Sequence, residues 1–176
     1  KVVYRQNLQT RQFSLNVCGH GGLRLETESN HGIYNLVSGL LCEQSRGFSN
    51  KEILSKVEGL GVSFAGFSGK DSIGISLLCL EEHIDEMLPF FADCFLHPVF
   101  PDSQFKSLLM EIAETKLAHD DSSASVAMRK FSEMLFPGEH PYSRPSYGSL
   151  ELLTKFTPEM LESFYQSILR ERSWVF

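Results

Sequence analysis

No stretch of this 176-residue chain stays apolar for the roughly 20 residues that a bilayer-spanning helix requires. Residues 1–15 lack a basic region followed by an apolar one, so no export signal is expected in the sequence as given. Basic residues are few and scattered. Sixteen Lys and Arg against 22 Asp and Glu leave a net charge of −6, with no stripe of cations to neutralise a phosphate backbone. Neither nucleic acid nor a membrane is an expected partner. Tryptophan occurs once, and the four cysteines, Cys18, Cys42, Cys79 and Cys94, show no C-x-x-C pairing and sit in apolar segments. They read as reduced thiols packed as small hydrophobes. That favours a cytoplasmic compartment without fixing the localisation. A nucleophile elbow G-x-S-x-G, a P-loop and a G-x-G-x-x-G are all missing, which removes the motif basis for serine-hydrolase or nucleotide chemistry.

The sequence does hold aromatic bulk. Fourteen phenylalanines and 42% hydrophobic residues are enough for one real core, and too short a chain carries them for two complete domains. Residues 1–6 and 13–18 alternate as strands, and Gly21-Gly22 offers a bulge or close approach before a third short strand, Leu23-Arg24-Leu25. Ile33, Leu36, Val37, Leu40 and Leu41 recur at helical spacing, with Asn30 as the expected N-cap of a helix over 31–42. Ser49-Asn50-Lys51-Glu52 has the spacing of a capping box, and Gly59 and Gly61 close the helix it opens. Two strands over 62–67 and 73–80, joined at Ser68-Gly69-Lys70-Asp71, should place Ile73, Ile75, Leu77 and Cys79 on the core face.

Downstream the pattern is helical. Residues 81–96 carry Ile84, Leu88, Phe91 and Phe95 on one stripe, and Pro89 should kink or interrupt that helix. Acidic Glu81, Glu82, Asp85 and Glu86 suit a first turn through its dipole. Further helices are expected over 102–119, over 124–135 with a cap from residues 120–123 and a stop at Phe136-Pro137-Gly138, and from Thr157-Pro158 onward. Residues 173–176 read as a strand. The expected fold class is α+β, an antiparallel sheet with helices packed on one face, in a single domain over residues 1–176 excised from a longer protein.

Several segments in this order, Gly21-Gly22-Leu23-Arg24-Leu25-Glu26, Gly47-Phe48-Ser49-Asn50-Lys51-Glu52-Ile53, Leu60-Gly61-Val62, His97-Pro98-Val99-Phe100-Pro101 and Phe136-Pro137-Gly138-Glu139-His140-Pro141-Tyr142, carry a resemblance. Over nearly all its length the chain resembles the peptidase domains of the pitrilysin/insulysin zinc-protease family, which includes the mitochondrial processing peptidase. Active members place His-x-x-Glu-His on the first helix and a third ligand, a glutamate, about 75 residues on. Two histidines and a carboxylate leave zinc one open position for water, and the motif glutamate takes the water's proton.

The matching stretch here is His31-Gly32-Ile33-Tyr34-Asn35. The first histidine is kept, Tyr34 replaces the base and Asn35 the second ligand. Glu111 follows Asn35 by 76 residues and falls on the third-ligand position. A neutral amide is a poor partner for zinc, and a phenol is protonated at neutral pH. The resemblance therefore implies a degenerate domain with no catalytic residue, metal or cofactor of its own, His31, Tyr34, Asn35 and Glu111 being the decayed positions. Zinc is expected in a homologous catalytic half, on the same chain or on another subunit, and the shared substrate is an extended peptide added to a sheet edge. His31 itself reads first as a hydrogen-bonded histidine near a helix start, Glu111 as a solvated carboxylate, and His140-Pro141-Tyr142 as a rigid turn. Two alternatives stay open: a structural or peptide-binding scaffold unconnected with proteolysis, and an active centre in which His20 or His119 joins His31 and Glu111.

Overall fold

The computed structural model describes residues 1–7, 9–136, 138 and 140–176. A four-stranded antiparallel sheet is built from β1 (Gln12–His20), β2 (Ser63–Ser68), β3 (Ser72–Leu80) and β4 (Trp174–Val175) in the order β2-β3-β1-β4. Period-two alternation sets its register. Phe13, Leu15 and Val17 lie opposite Cys79, Leu77 and Ile75, while Phe64 and Gly66 meet Leu77 and Ile75 from the other side. One face is thereby closed, with Val17, Ile73, Ile75 and Leu77 fully buried, while Ser14, Asn16, Leu78 and Leu80 look outward. The core face predicted from the spacing of residues 73–79 is the one observed.

Helices cover the closed face. The first, α1 (Ile33–Leu40), buries Ile33, Tyr34, Leu36, Val37 and Leu40. Its approach to the sheet depends on Gly66, because a Cβ there would stand 2.0 Å from the carbonyl oxygen of Ser38. α2 (Asn50–Leu60) opens on the expected capping box of Ser49 and Glu52 and closes on Gly61 in the left-handed region. α3 (Ile84–Leu96), α4 (Asp102–Asp121) and α5 (Ser123–Leu135) follow, then a single turn α6 (Leu150–Leu153) and α7 (Pro158–Glu171). Thr157 caps α7 through Met160 N–H, as its sequence implied, and Ser122 caps α5 through Ser125 N–H. Tyr165, fully buried on α7, donates from Oη to the carbonyl oxygen of Phe95 at 2.7 Å and ties α7 to α3. No helix among the described residues is long and apolar enough to cross a membrane.

Four local expectations are corrected. Leu23–Leu25 is a 3-10 turn rather than a strand, because Gly22 at φ 79° swings the chain aside and the amides of Leu23 and Arg24 donate to the carbonyls of Gly69 and Lys70. Residues 1–6 form no strand of the sheet, but Lys1 and Val3 run beside its β4 end: the Lys1 amino group donates to the carbonyl of Trp174, Phe176 N–H to that of Lys1 and Val3 N–H to that of Phe176. Pro89 does not interrupt α3. The carbonyl it leaves without a donor belongs to exposed Asp85, where water can serve. The buried face of α3 is also rotated: Met87, Phe90, Phe91, Cys94 and Phe95 are inside while Leu88 is 37% exposed. Lastly, Pro137 as the stop of α5 lies outside the described residues. All four cysteines are free, with Cys79 and Cys94 buried.

Candidate functional site

Residues that match the zinc-protease motif converge on the start of α1. That helix begins at Ile33, and its N-cap is Gly32, held at φ 95° in the left-handed region with no side chain to offer. Asn30, the expected cap, instead accepts the amide of Thr27 at 2.6 Å. The missing acceptor is supplied by Glu26, whose carboxylate takes Gly32 N–H at 2.8 Å and Tyr34 N–H at 3.1 Å from within the core. A negative charge at a helix N-terminus is doubly favoured, by those hydrogen bonds and by the dipole. Burial nevertheless raises the Glu26 pKa above the ordinary carboxylate value, against the pull of the two amides and of Arg144.

His31 lies outside the helix and is buried. Its Nε2 stands 2.8 Å from the carbonyl oxygen of Pro145 and 4.0 Å from Oε2 of Glu26. A carbonyl only accepts, so Nε2 carries the proton and donates. Desolvation lowers the His31 pKa, the Pro145 carbonyl works the other way, and the nearby Arg144 charge lowers it further. This docking relies on two glycines: a Cβ on Gly148, itself at φ 83°, would lie 2.6 Å from Cα of Gly32.

Tyr34 and Asn35 diverge. Tyr34 is 2% exposed and points into the core, edge-on to Phe164 at a centroid distance of 5.1 Å. Burial raises its pKa, which removes it further from any role as a base. Asn35 faces the other way, into a groove of about 430 Å³ between α1, α4 and the edge strand β2. Glu111 lines the same groove from α4, as do Gly66, Phe67 and Ser68 of β2 and His119 and Tyr147 at its end. Beside Glu111, the half-buried Glu43 holds Asn50 Nδ2 at 2.8 Å, and its pKa is raised by desolvation.

As a zinc ligand set these positions do not fit. His31 Nε2 is committed to a carbonyl, Tyr34 is in the core, Asn35 is a neutral amide, and only Glu111 offers an anionic oxygen to the groove. His119 shares the groove with Glu111, whereas His20 is exposed at the end of β1 and His31 does not line it. Among the described residues no three His, Cys, Asp or Glu side chains come together as a metal would need.

Glu26 and Tyr147 were not legible as site residues. For Glu26 the one signal is negative: a helix start with glycine at the cap needs an acceptor from elsewhere. The tempting cluster at His140-Pro141-Tyr142 is a turn, as expected: His140 Nδ1 accepts Tyr142 N–H, and Tyr142 Oη donates to Asp71 at 2.5 Å.

An antiparallel sheet with helices on one face, and an open edge beside a helical groove, makes this an α+β domain. The family model described as Insulinase (Peptidase family M16) matches residues 1–139, and the chain belongs to that family. It is 23% identical over 164 residues to the uncharacterized zinc protease YmxG of Bacillus subtilis (strain 168), covering 93% of this chain and 40% of that protein. The inactive domain of a peptidase M16 from Pseudomonas fluorescens superposes with a TM-score of 0.83 at 22% identity, over 93% of this chain and 40% of the other. The periplasmic protease PqqL of Escherichia coli gives a TM-score of 0.85 at 15% identity, over 99% of this chain and 20% of its own. The chain thus spans less than half the length of these relatives.

Proposed function

We propose that this domain is the non-catalytic half of a zinc metallopeptidase, forming one wall of a peptide chamber whose water-activating half lies elsewhere in the same chain or on a partner. The observation that carries it is the parting of the motif positions. His31 is fastened to Pro145 outside α1, Tyr34 is core, and only Asn35 and Glu111 reach the groove. What the groove retains is the means to hold a peptide. β2 is the outer strand of the sheet, so its outward amides and carbonyls can take an extended chain as an added strand, with the groove receiving alternate side chains.

The test is made on the full-length protein that carries this domain. Zinc content and peptide hydrolysis are compared for the wild type, Glu111→Gln and His31→Gln. Zinc content equal to the wild type is expected in both variants. A Glu111→Gln protein that loses its zinc would show that this domain holds the metal. Absence of both zinc and hydrolysis from the wild type would move the protein to the scaffold reading.

A further inference from the structure

A second cavity, of about 400 Å³, opens where α4 and α5 meet residues 143–147. It continues the groove, since His119, Ser146 and Tyr147 line both. Its wall carries two guanidinium groups, Arg129 and Arg144, and the hydroxyls of Ser125 and Ser132, with no Asp or Glu among the described residues.

Each of these arginines also has a carboxylate on the side away from the cavity. Asp120 stands outside the wall and faces two cations, Arg129 Nη1 at 2.7 Å and Lys116 Nζ at 2.6 Å. Hydrogen bonds from Arg129 and Lys116 hold its pKa down to about 2, so it stays ionised and is shared between Arg129 and Lys116, which lies outside the cavity wall. Arg129 Nη1 also reaches Tyr147 Oη at 3.5 Å. Arg144 is 17% exposed in its side chain; its Nη2 lies 3.9 Å from a carboxylate oxygen of exposed Glu28, and its Nη1 is buried with no acceptor among the described residues. Glu26, on the inner side of Arg144, already accepts two amides. His119 is exposed and packs edge-on to Tyr147 at 5.6 Å. A guanidinium does not shed its proton, and its planar fork matches a carboxylate.

We infer that this cavity binds a carboxylate of the peptide lying in the groove, with Arg129 and Arg144 as its cationic wall and Tyr147 marking the passage from groove to cavity. The inference rests on the peptide-binding reading above and specifies it: the peptide favoured is one that presents an anionic group beyond the end of β2. That group is either the terminal carboxylate or an acidic side chain. Both share the chemistry, and peptide design separates them.

Fluorescein-labelled short peptides of Ala, Val, Thr and Leu are made in two pairs, one with a free or amidated C-terminus, the other with an internal Glu or Gln. Each is titrated by anisotropy into the full-length protein in EDTA, so that nothing is cut, as wild type, Arg129→Gln and Arg129→Lys. The charged member of one pair is expected to bind about tenfold more tightly, as a hydrogen-bonded charge pair gives. That preference should collapse in Arg129→Gln and survive in Arg129→Lys. The pair that shows it names the source of the carboxylate. Equal binding of charged and neutral peptides overturns the cavity assignment and leaves the peptide groove standing. If no peptide binds, the groove reading fails, and acetate followed on the arginine side-chain N–H resonances decides the cavity alone. Shifts at Arg129 and Arg144 that Arg129→Gln abolishes uphold it, and unmoved resonances overturn it.

Discussion

Nε2 of His31 lies 2.8 Å from the carbonyl oxygen of Pro145, 114 residues further along the chain. The contact fixes the start of α1 against the turn that follows α5, and it makes stability depend on pH. Burial lowers the His31 pKa below its ordinary 6.5, so the unfolded chain takes up a proton that the folded chain refuses. Below about pH 6.5 the unfolded state therefore binds more protons, and stability falls as the pH drops towards the lowered value. Glu26 acts with the opposite sign: its raised pKa means that the folded state binds the proton first, which favours folding as the pH falls. Urea titrations between about pH 7 and pH 5 should show a slope that is smaller in His31→Gln, whose amide can still donate to Pro145. Identical slopes would remove His31 as the cause.

Writing the zinc motif back into the sequence should not restore a zinc site. In the Tyr34→Glu, Asn35→His double variant, position 34 still points into the core and His31 is still outside the helix. Loss of the Tyr34 ring alone is expected to cost about 3 kcal/mol. Elemental analysis after desalting should find no stoichiometric zinc, together with a lowered urea midpoint. One zinc per chain at wild-type stability would show that His31 leaves Pro145 readily, against the geometry described here.

Glu26→Ala should be among the most damaging single changes near α1. Two buried amides, those of Gly32 and Tyr34, would lose a charged acceptor, an expected loss of about 2 to 4 kcal/mol. Glu26→Gln keeps an acceptor oxygen and should lose less. Denaturant unfolding gives the totals, and hydrogen exchange at the Gly32 and Tyr34 amides locates them. A Glu26→Ala protein as stable as the wild type would mean that water replaces the carboxylate without cost.

Much of the fold could be read from spacing because it is local. The capping box of Ser49 and Glu52, the Thr157 cap and the alternation over residues 73–79 each involve residues within a few positions of one another. Spacing alone draws the α3 stripe through Leu88, because Leu88 and Met87 are equally apolar and only the direction of the core decides between them. The site was half legible. Its decayed character follows from residue types, since Tyr34 and Asn35 cannot replace Glu and His. Its geometry does not, because Glu26 acts across six and eight residues, and Pro145 across 114. Such partners are set by how the turn at residues 143–147 returns to α1, and no periodicity encodes that.

The buried cysteines give this domain an internal clock. Cys94 is fully enclosed on α3, and burial pushes its thiol up to about 12, while Cys79 on β3 is likewise raised. At mildly alkaline pH neither offers the thiolate that an alkylating reagent attacks. Labelling must wait until the helix lifts from the sheet, so its rate at Cys94 counts the openings of the core itself.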